Sequence, residues 1–412
     1  MKTDLDALML ETGLDGLLVS GARMHNPSLT YFVGPAHLTS ADLLKRRGQE
    51  PVLYCRAMER EEAARTGLAV RVVEDLNPAQ LLDQAGGDTA RQRALLLERM
   101  FADTGLGGRV AVTGRADVGA GFAALQHLMR LLPQVEFVGA VDSLDVITRA
   151  RATKDEAEVE RIRQIGKTTV QVVADVANFL TSHRARNGVL INQHDEVLTI
   201  GEVKRRINLW LAMRGAENPE GAIFAIGRDA GVPHSVGDDS APVQVGKSIV
   251  FDLFPCEAGG GYFYDITRTW CLGHAPDEVQ RAYVDVLAVQ QEMCSALRAG
   301  TPFREYQKRT CQAFEERGHP TVQTRPDTRE GYVHSLGHGV GLAVQERPFA
   351  GYTNHNVEPL APGAVVTVEP GLYYPERGFG VRIEDTLWIR PDGTAEVLAE
   401  YPRDLVLKVQ GA

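Results

Sequence analysis

Long apolar runs are missing from this chain of 412 residues. No stretch approaches the roughly 20 residues that cross a bilayer, and the opening MKTDLDALMLETGLDG carries acids where a signal peptide would be apolar. The sequence therefore reads as a cytoplasmic protein without a membrane partner. Cysteine is also scarce: Cys55, Cys256, Cys271, Cys294 and Cys311 form an odd set with no short paired spacing. That set excludes a disulfide frame or a zinc knuckle and fits reduced, buried thiols. An excess of positive charge is absent too. A net charge of −10 would repel a phosphate backbone, so nucleic acid is not an expected partner. The small basic clusters Lys45-Arg46-Arg47 and Lys204-Arg205-Arg206 read as solvated helix faces. No low-complexity tract or short repeat appears.

What is present is the composition of a globular protein, 44% hydrophobic and 24% charged, at a length that favours two domains over one core. Up to about residue 145, short aliphatic runs (Gly16–Ser20, Leu29–Val33, Pro51–Cys55, Val70–Val73, Arg109–Thr113, Val135–Val138) alternate with helical stretches such as Ala57–Thr66 and Ala120–Leu132. This alternation predicts an α/β domain. A boundary falls near 142–152, giving domains 1–148 and 149–412. There Thr153 and Glu156 suggest a capping box opening a helix with Val159, Ile162, Ile165, Val173 and Val176 on one side. A second helix, about Glu196–Arg214, stops at Gly215, and 276–318 reads as two more. Strand-like runs with glycines between them fill 221–275 and 331–400, which predicts an α+β domain with a curved antiparallel sheet backed by helices.

Four acids and a histidine stand in those runs: Asp252 in SIVFDLFP, Asp265 in GYFYDITRTW, His338 in SLGHGVGL, Glu369 in VVTVEPG and Glu384 in GVRIEDT. A single strand carboxylate is usually paired or exposed, and needs no function. Several converging on one place repel each other unless cations balance them, so the set implies about two divalent ions. Oxygen-rich ligation with one nitrogen and no thiolate favours manganese, cobalt or zinc. Two such ions suit metal-assisted hydrolysis.

The run GVPHSVG, the pair Asp252 and Asp265 with DITRT, and the segments HSLGHGVGL, VEPG and VRIEDT resemble, in order, the motifs of the pita-bread metallopeptidases, with the closest look to prolidase and aminopeptidase P. The match spans about 150–400, and the preceding residues look like the creatinase-type amino-terminal domain of those enzymes. The resemblance implies a proline-directed two-metal exopeptidase, most often using manganese and often a homodimer. It implies that Asp252 binds one metal, His338 and Glu369 the other, and that Asp265 and Glu384 bridge both. Glu369 would act as general base or proton shuttle. His234 and His334 would contact substrate and the developing oxyanion, and Arg382 would orient the ligand acids from behind.

Two departures stand out. Asp252 and Asp265 lie thirteen residues apart, two more than usual for the family, with the extra residues in the turn Cys256–Gly261. A longer hairpin loop leaves both strands in register. Where the family commonly has a histidine seven residues after the metal-binding one, this chain has Gln345, which can donate a hydrogen bond but not pass a proton. The expected substrate is a proline-containing dipeptide or short peptide. Trimming from the carboxyl end, or a non-catalytic peptide-binding scaffold, are the alternatives. Methionine aminopeptidase is disfavoured by the front domain, and creatinase by the five ligands.

Overall fold

The computed structural model describes residues 4–351 and 357–411. The chain separates into two compact units, one running to Arg151 and taking in Gly259–Gly261, the other comprising Ala152–Ala258 and the chain from Tyr262 on.

The first unit is built on a six-stranded sheet in the order Ala69–Val72, Val52–Cys55, Ala41–Arg46, Gly16–Gly21, Arg109–Arg115, Glu136–Gly139. Its strands are mixed in direction: Gly16–Gly21 runs parallel to Arg109–Arg115 and antiparallel to Ala41–Arg46. Side chains alternate between two cores. Leu17 and Val19 join Leu5, Met9 and Ile147 on one face, while Leu18 joins Leu97, Phe101 and Leu128 on the other. Helices therefore cover both faces.

Two sequence expectations in this unit are corrected. The run Leu29–Val33 is not a strand but the end of the helix Pro27–Val33, because Asn26 caps the Leu29 N–H and Pro27 stands in the first turn, where its missing N–H costs nothing. Lys45 and Arg46 lie in the Ala41–Arg46 strand rather than on a helix, and Lys45 is buried, donating to Asp6 at 2.8 Å. Lys204, Arg205 and Arg206 do lie on a helix, Ile200–Met213, with Arg205 and Arg206 exposed.

The second unit opens with the helix Glu156–Thr181. Its capping box is Asp155 with Glu158, two residues beyond the expected Thr153 and Glu156, because the Asp155 carboxylate accepts the Glu158 N–H while Glu158 reaches back. Val159, Ile162, Ile165, Val172, Val173 and Val176 form its buried stripe. Helices Asp277–Ala296 and Phe303–Glu316 lie where two were expected and share one buried core with Val366, Val368, Leu372 and Val381 of the strands.

The strands of this unit do not form one curved antiparallel sheet. They divide into a four-stranded sheet (Ala222–Ile226, Ser248–Leu253, Ile266–Leu272, Val406–Leu407), a five-stranded sheet (Glu346–Phe349, His338–Gly339, Val365–Val368, Asp385–Ile389, Ala395–Val397) and short pairs, none strongly curled. The four-stranded sheet is mixed, because Val406–Leu407 runs parallel to Ile266–Leu272. The stretched turn leaves register intact: Asp252 faces Thr267 and Leu253 faces Ile266 across an antiparallel ladder.

Candidate metal centre

Strand ends bring the five residues together. Asp252 is next to last in Ser248–Leu253, Asp265 immediately precedes Ile266–Leu272, His338 opens His338–Gly339, Glu369 follows Val365–Val368, and Glu384 lies between Phe379–Arg382 and Asp385–Ile389. Glycine makes the histidine position reachable. A Cβ on Gly337 would lie 2.2 Å from the Thr367 carbonyl oxygen, and one on Gly339 would lie 2.1 Å from that of Arg347. No side chain fits at either place.

All five are buried, Asp252 the most exposed at 8%. His338 Nδ1–H donates to the Gly339 carbonyl at 3.1 Å, which leaves the lone pair of Nε2 facing Glu369 Oε1 at 3.3 Å and Asp265 Oδ2 at 3.8 Å. Asp265, His338 and Glu384 offer donor atoms all within 4.8 Å of one another. Three carboxylate oxygens, Asp252 Oδ1, Asp265 Oδ1 and Glu384 Oε1, are buried without a hydrogen-bond partner. Such atoms cost free energy unless a ligand takes them, and a bare imidazole nitrogen among them is the donor set of divalent cations. The residues fit a metal centre.

The electrostatics point the same way. Burial, then Glu384, Asp252 and Glu369, pushes the Asp265 carboxyl well above its usual range, and burial followed by Glu369 and Asp252 does so for Glu384. Burial raises Glu369 to about 8 and lowers His338. Without cations the cluster holds protons at neutral pH.

Arg382 supports it from behind. Its guanidinium donates to Asp252 Oδ2 at 2.7 Å, Tyr373 Oη at 2.8 Å, Thr267 Oγ1 at 3.1 Å and the Pro233 carbonyl at 3.2 Å. Burial opposes this charge, but Tyr373, Asp252 and Glu369 hold its pKa well above the ordinary value. Thr267 in turn donates to Glu384 Oε2 at 2.7 Å. At the cleft, His334 Nδ1 lies 3.0 Å from the Ser335 carbonyl and 3.5 Å from Glu369 Oε2, and His334 Nε2 lies 3.2 Å from His234 Nε2. With Nδ1–H directed at the carbonyl, His334 Nε2 accepts and His234 Nε2–H donates. Burial, then Arg382 and His234, depresses His334 to about 3, so it is neutral.

A cleft of about 430 Å³ opens over these groups, with Ile223, Val236 and Phe254 on its apolar wall and Glu220 and Gln345 also lining it. Gln345 makes no hydrogen bond with any described residue. Cys256 does not line the cleft; its thiol donates to Glu217 at 3.6 Å.

Several residues that organise the site were not singled out from sequence. Thr267 stands two residues after Asp265 and Thr367 two before Glu369, so each shares its acid's face of the strand, a period-two signal that was readable. Thr367 donates to Glu369 at 3.3 Å and accepts the His338 N–H at 3.0 Å. Behind the site, Asp385 is fully buried and paired with Arg268 at 2.8 Å, and Arg268 also donates to the Glu384 carbonyl at 2.7 Å. The adjacency of Glu384 and Asp385 was the available signal, since neighbours in a strand face opposite ways.

The sequence model of metallopeptidase family M24 matches residues 160–391. A probable dipeptidase of Mycobacterium tuberculosis is 28% identical over 299 residues, 72% of each chain. The Xaa-Pro dipeptidase of Pyrococcus furiosus is 31% identical over 264 residues, 64% of this chain and 67% of that one. In three dimensions the chain is similar to the prolidase of Pyrococcus horikoshii, with a TM-score of 0.74 at 23% identity and 98% of each chain covered.

Proposed function

The chain belongs to metallopeptidase family M24, and from that membership we propose that it is a metal-dependent exopeptidase hydrolysing Xaa-Pro bonds in dipeptides or short peptides. The observation that carries this reading is the set of three orphaned, buried carboxylate oxygens beside the bare Nε2 of His338. The proline preference is supported by the 31% identical relative named as an Xaa-Pro dipeptidase.

In this reading Asp252 would hold one ion, His338 and Glu369 would hold the other, and Asp265 and Glu384 would serve both. Manganese is our choice over cobalt and zinc because four of the five ligand residues offer oxygen. When bound, the ions supply Lewis acidity toward the scissile carbonyl and the attacking water. Glu369 takes the water's proton and returns it to the leaving nitrogen. His234 Nε2–H, which His334 Nε2 accepts in the free protein, would turn to the carbonyl oxygen as charge develops there, with His334 beside it. Arg382 fixes Asp252 so that its free Oδ1 stays aimed at an ion. A proline nitrogen has no N–H to satisfy, so apolar walls such as Ile223 and Phe254 suit its ring.

We further read the first unit as a creatinase-type domain, its α/β sheet supporting that. A homodimer rests on the resemblance alone. A cytoplasmic location is supported by five free cysteines. No helix among the described residues is long and apolar enough to cross a membrane.

Manganese-loaded protein should release products from Ala-Pro and Ala-Pro-Ala and leave a proline-free Ala-Ala control intact. Hydrolysis of the control alone would sink the proline assignment. Glu369→Gln should lower turnover roughly 10²-fold or more while the far-ultraviolet circular dichroism stays that of the parent. A variant as active as the parent would remove Glu369 from the mechanism.

A further inference from the structure

We propose that Glu220 is a specificity-determining residue that reads a cationic group on the amino side of the scissile bond, either the free α-ammonium or a basic side chain of the residue before proline. This inference rests on the exopeptidase reading of the same cleft and adds which substrates it prefers.

The first observation is a charge census of the cleft. Apart from the acids assigned to the ions, Glu220 is the one carboxylate among its lining residues, and Arg382 is the one permanent cation. Arg382 is 1% exposed and spends its guanidinium on Asp252, Tyr373, Thr267 and Pro233. It is not free to take a substrate carboxylate. With the four ligand acids balanced by two divalent ions and Arg382 buried behind them, the exposed charge facing substrate is that of Glu220.

The second observation is that Glu220 is held in place yet unpaired. Asn218-Pro219-Glu220-Gly221 is a turn closed by the Gly221 N–H on the Asn218 carbonyl at 3.3 Å, with Gly221 at φ +81°. Proline sets the second position of the turn, and glycine takes a backbone conformation that side chains disfavour. The Glu220 side chain is exposed, and its carboxylate makes no hydrogen bond or ion pair with any described residue.

The third observation is its surroundings. Ile223 lies three residues on and pairs directly across from Asp252, so Glu220 leads into the strand beside the metal centre. Ile223, Val236 and Phe254 line the same cleft as Glu220 and the metal ligands and give it apolar surface. A lysine or arginine stem lies along such a wall with its charge at the far end. A carboxylate at that end of the substrate would meet like charge. In an Xaa-Pro peptide the cation belongs to Xaa, which orients the chain with its amino side toward Glu220.

The test is steady-state kinetics of the manganese-loaded full chain and its Glu220→Gln variant on Arg-Pro, Lys-Pro, Met-Pro, Ala-Pro and Asp-Pro. The parent should disfavour Asp-Pro; if the side chain is read it should also favour Arg-Pro and Lys-Pro over Met-Pro, and if the α-ammonium is read it should rank these three alike. Because the acid is exposed and screened, Glu220→Gln should raise KM about fivefold, with the loss falling on KM rather than kcat. A rise confined to Arg-Pro and Lys-Pro assigns the side chain as the group read. An equal rise for all free-amine substrates, Ala-Pro included, assigns the α-ammonium. Unchanged KM values throughout, or a parent that prefers Asp-Pro, overturn the proposal while leaving the exopeptidase reading standing. A parent that cleaves no proline peptide overturns both.

Discussion

A buried carboxylate oxygen without a partner costs on the order of 1–3 kcal/mol, and this chain keeps three of them around one imidazole nitrogen. Two of these carboxylates are held through their other oxygen, Asp252 by Arg382 and Glu384 by Thr267. The supporting cast should therefore control metal affinity. Arg382→Lys keeps the charge but loses the fork that joins Asp252 to Tyr373 and Thr267, and calorimetric manganese titration should show affinity reduced roughly 10- to 100-fold. Affinity equal to the parent's would mean that Arg382 does not position the ligands. Asp385→Asn tests the opposite face. It leaves the buried Arg268 without its carboxylate, with a cost of about 3–5 kcal/mol in urea unfolding. A loss below 1 kcal/mol would show that the carbonyls of Glu384, Tyr401 and Pro402, which also accept from Arg268, hold it without the carboxylate. The acids of the centre were legible in the sequence because each stood in an apolar strand-like run, SIVFDLFP, GYFYDITRTW, VVTVEPG and GVRIEDT, where a lone carboxylate is costly. Asp385 showed beside Glu384, but its partner Arg268 did not, because a pairing between residues 117 positions apart leaves no local trace.

At the scale of elements, close backbone approach does the work around His338. Gly339→Ala would drive a methyl into the Arg347 carbonyl, separating His338–Gly339 from Glu346–Phe349. Such overpacking costs about 1–3 kcal/mol, and bound manganese measured after gel filtration should fall in step. Full metal content in the variant would show that the strand can yield. Long helices were read well from sequence, since the stripe of Glu156–Thr181 runs from Val159 to Leu180, about six turns. Short segments were not. Pro27–Val33 is seven residues long, too short for its period to show, and the Asn26-Pro27 start was the signal that mattered. Sheet membership was also beyond reach: the parallel strand Val406–Leu407 is two residues long and pairs with a segment more than 130 positions away.

For the whole molecule, metal and proton compete for one cluster. Asp265, Glu384 and Glu369 are raised in the folded, metal-free chain above their unfolded values of about 4. Their contribution to stability is therefore full below pH 4 and is lost as pH rises through the folded values, which for Glu369 means through about 8. Cations remove that penalty. The gain in melting temperature on adding manganese should thus grow from pH 5.5 to pH 8, by scanning calorimetry of chelated and loaded samples. A gain that shrinks with pH would place the ions elsewhere. The central claim, that these five residues form a two-metal hydrolytic centre, is tested most directly by the rate of Ala-Pro hydrolysis as manganese is titrated into metal-free protein. The account predicts no turnover at the start and a plateau at two equivalents per chain. Turnover that is undiminished without metal, or absent at every ratio, would contradict it.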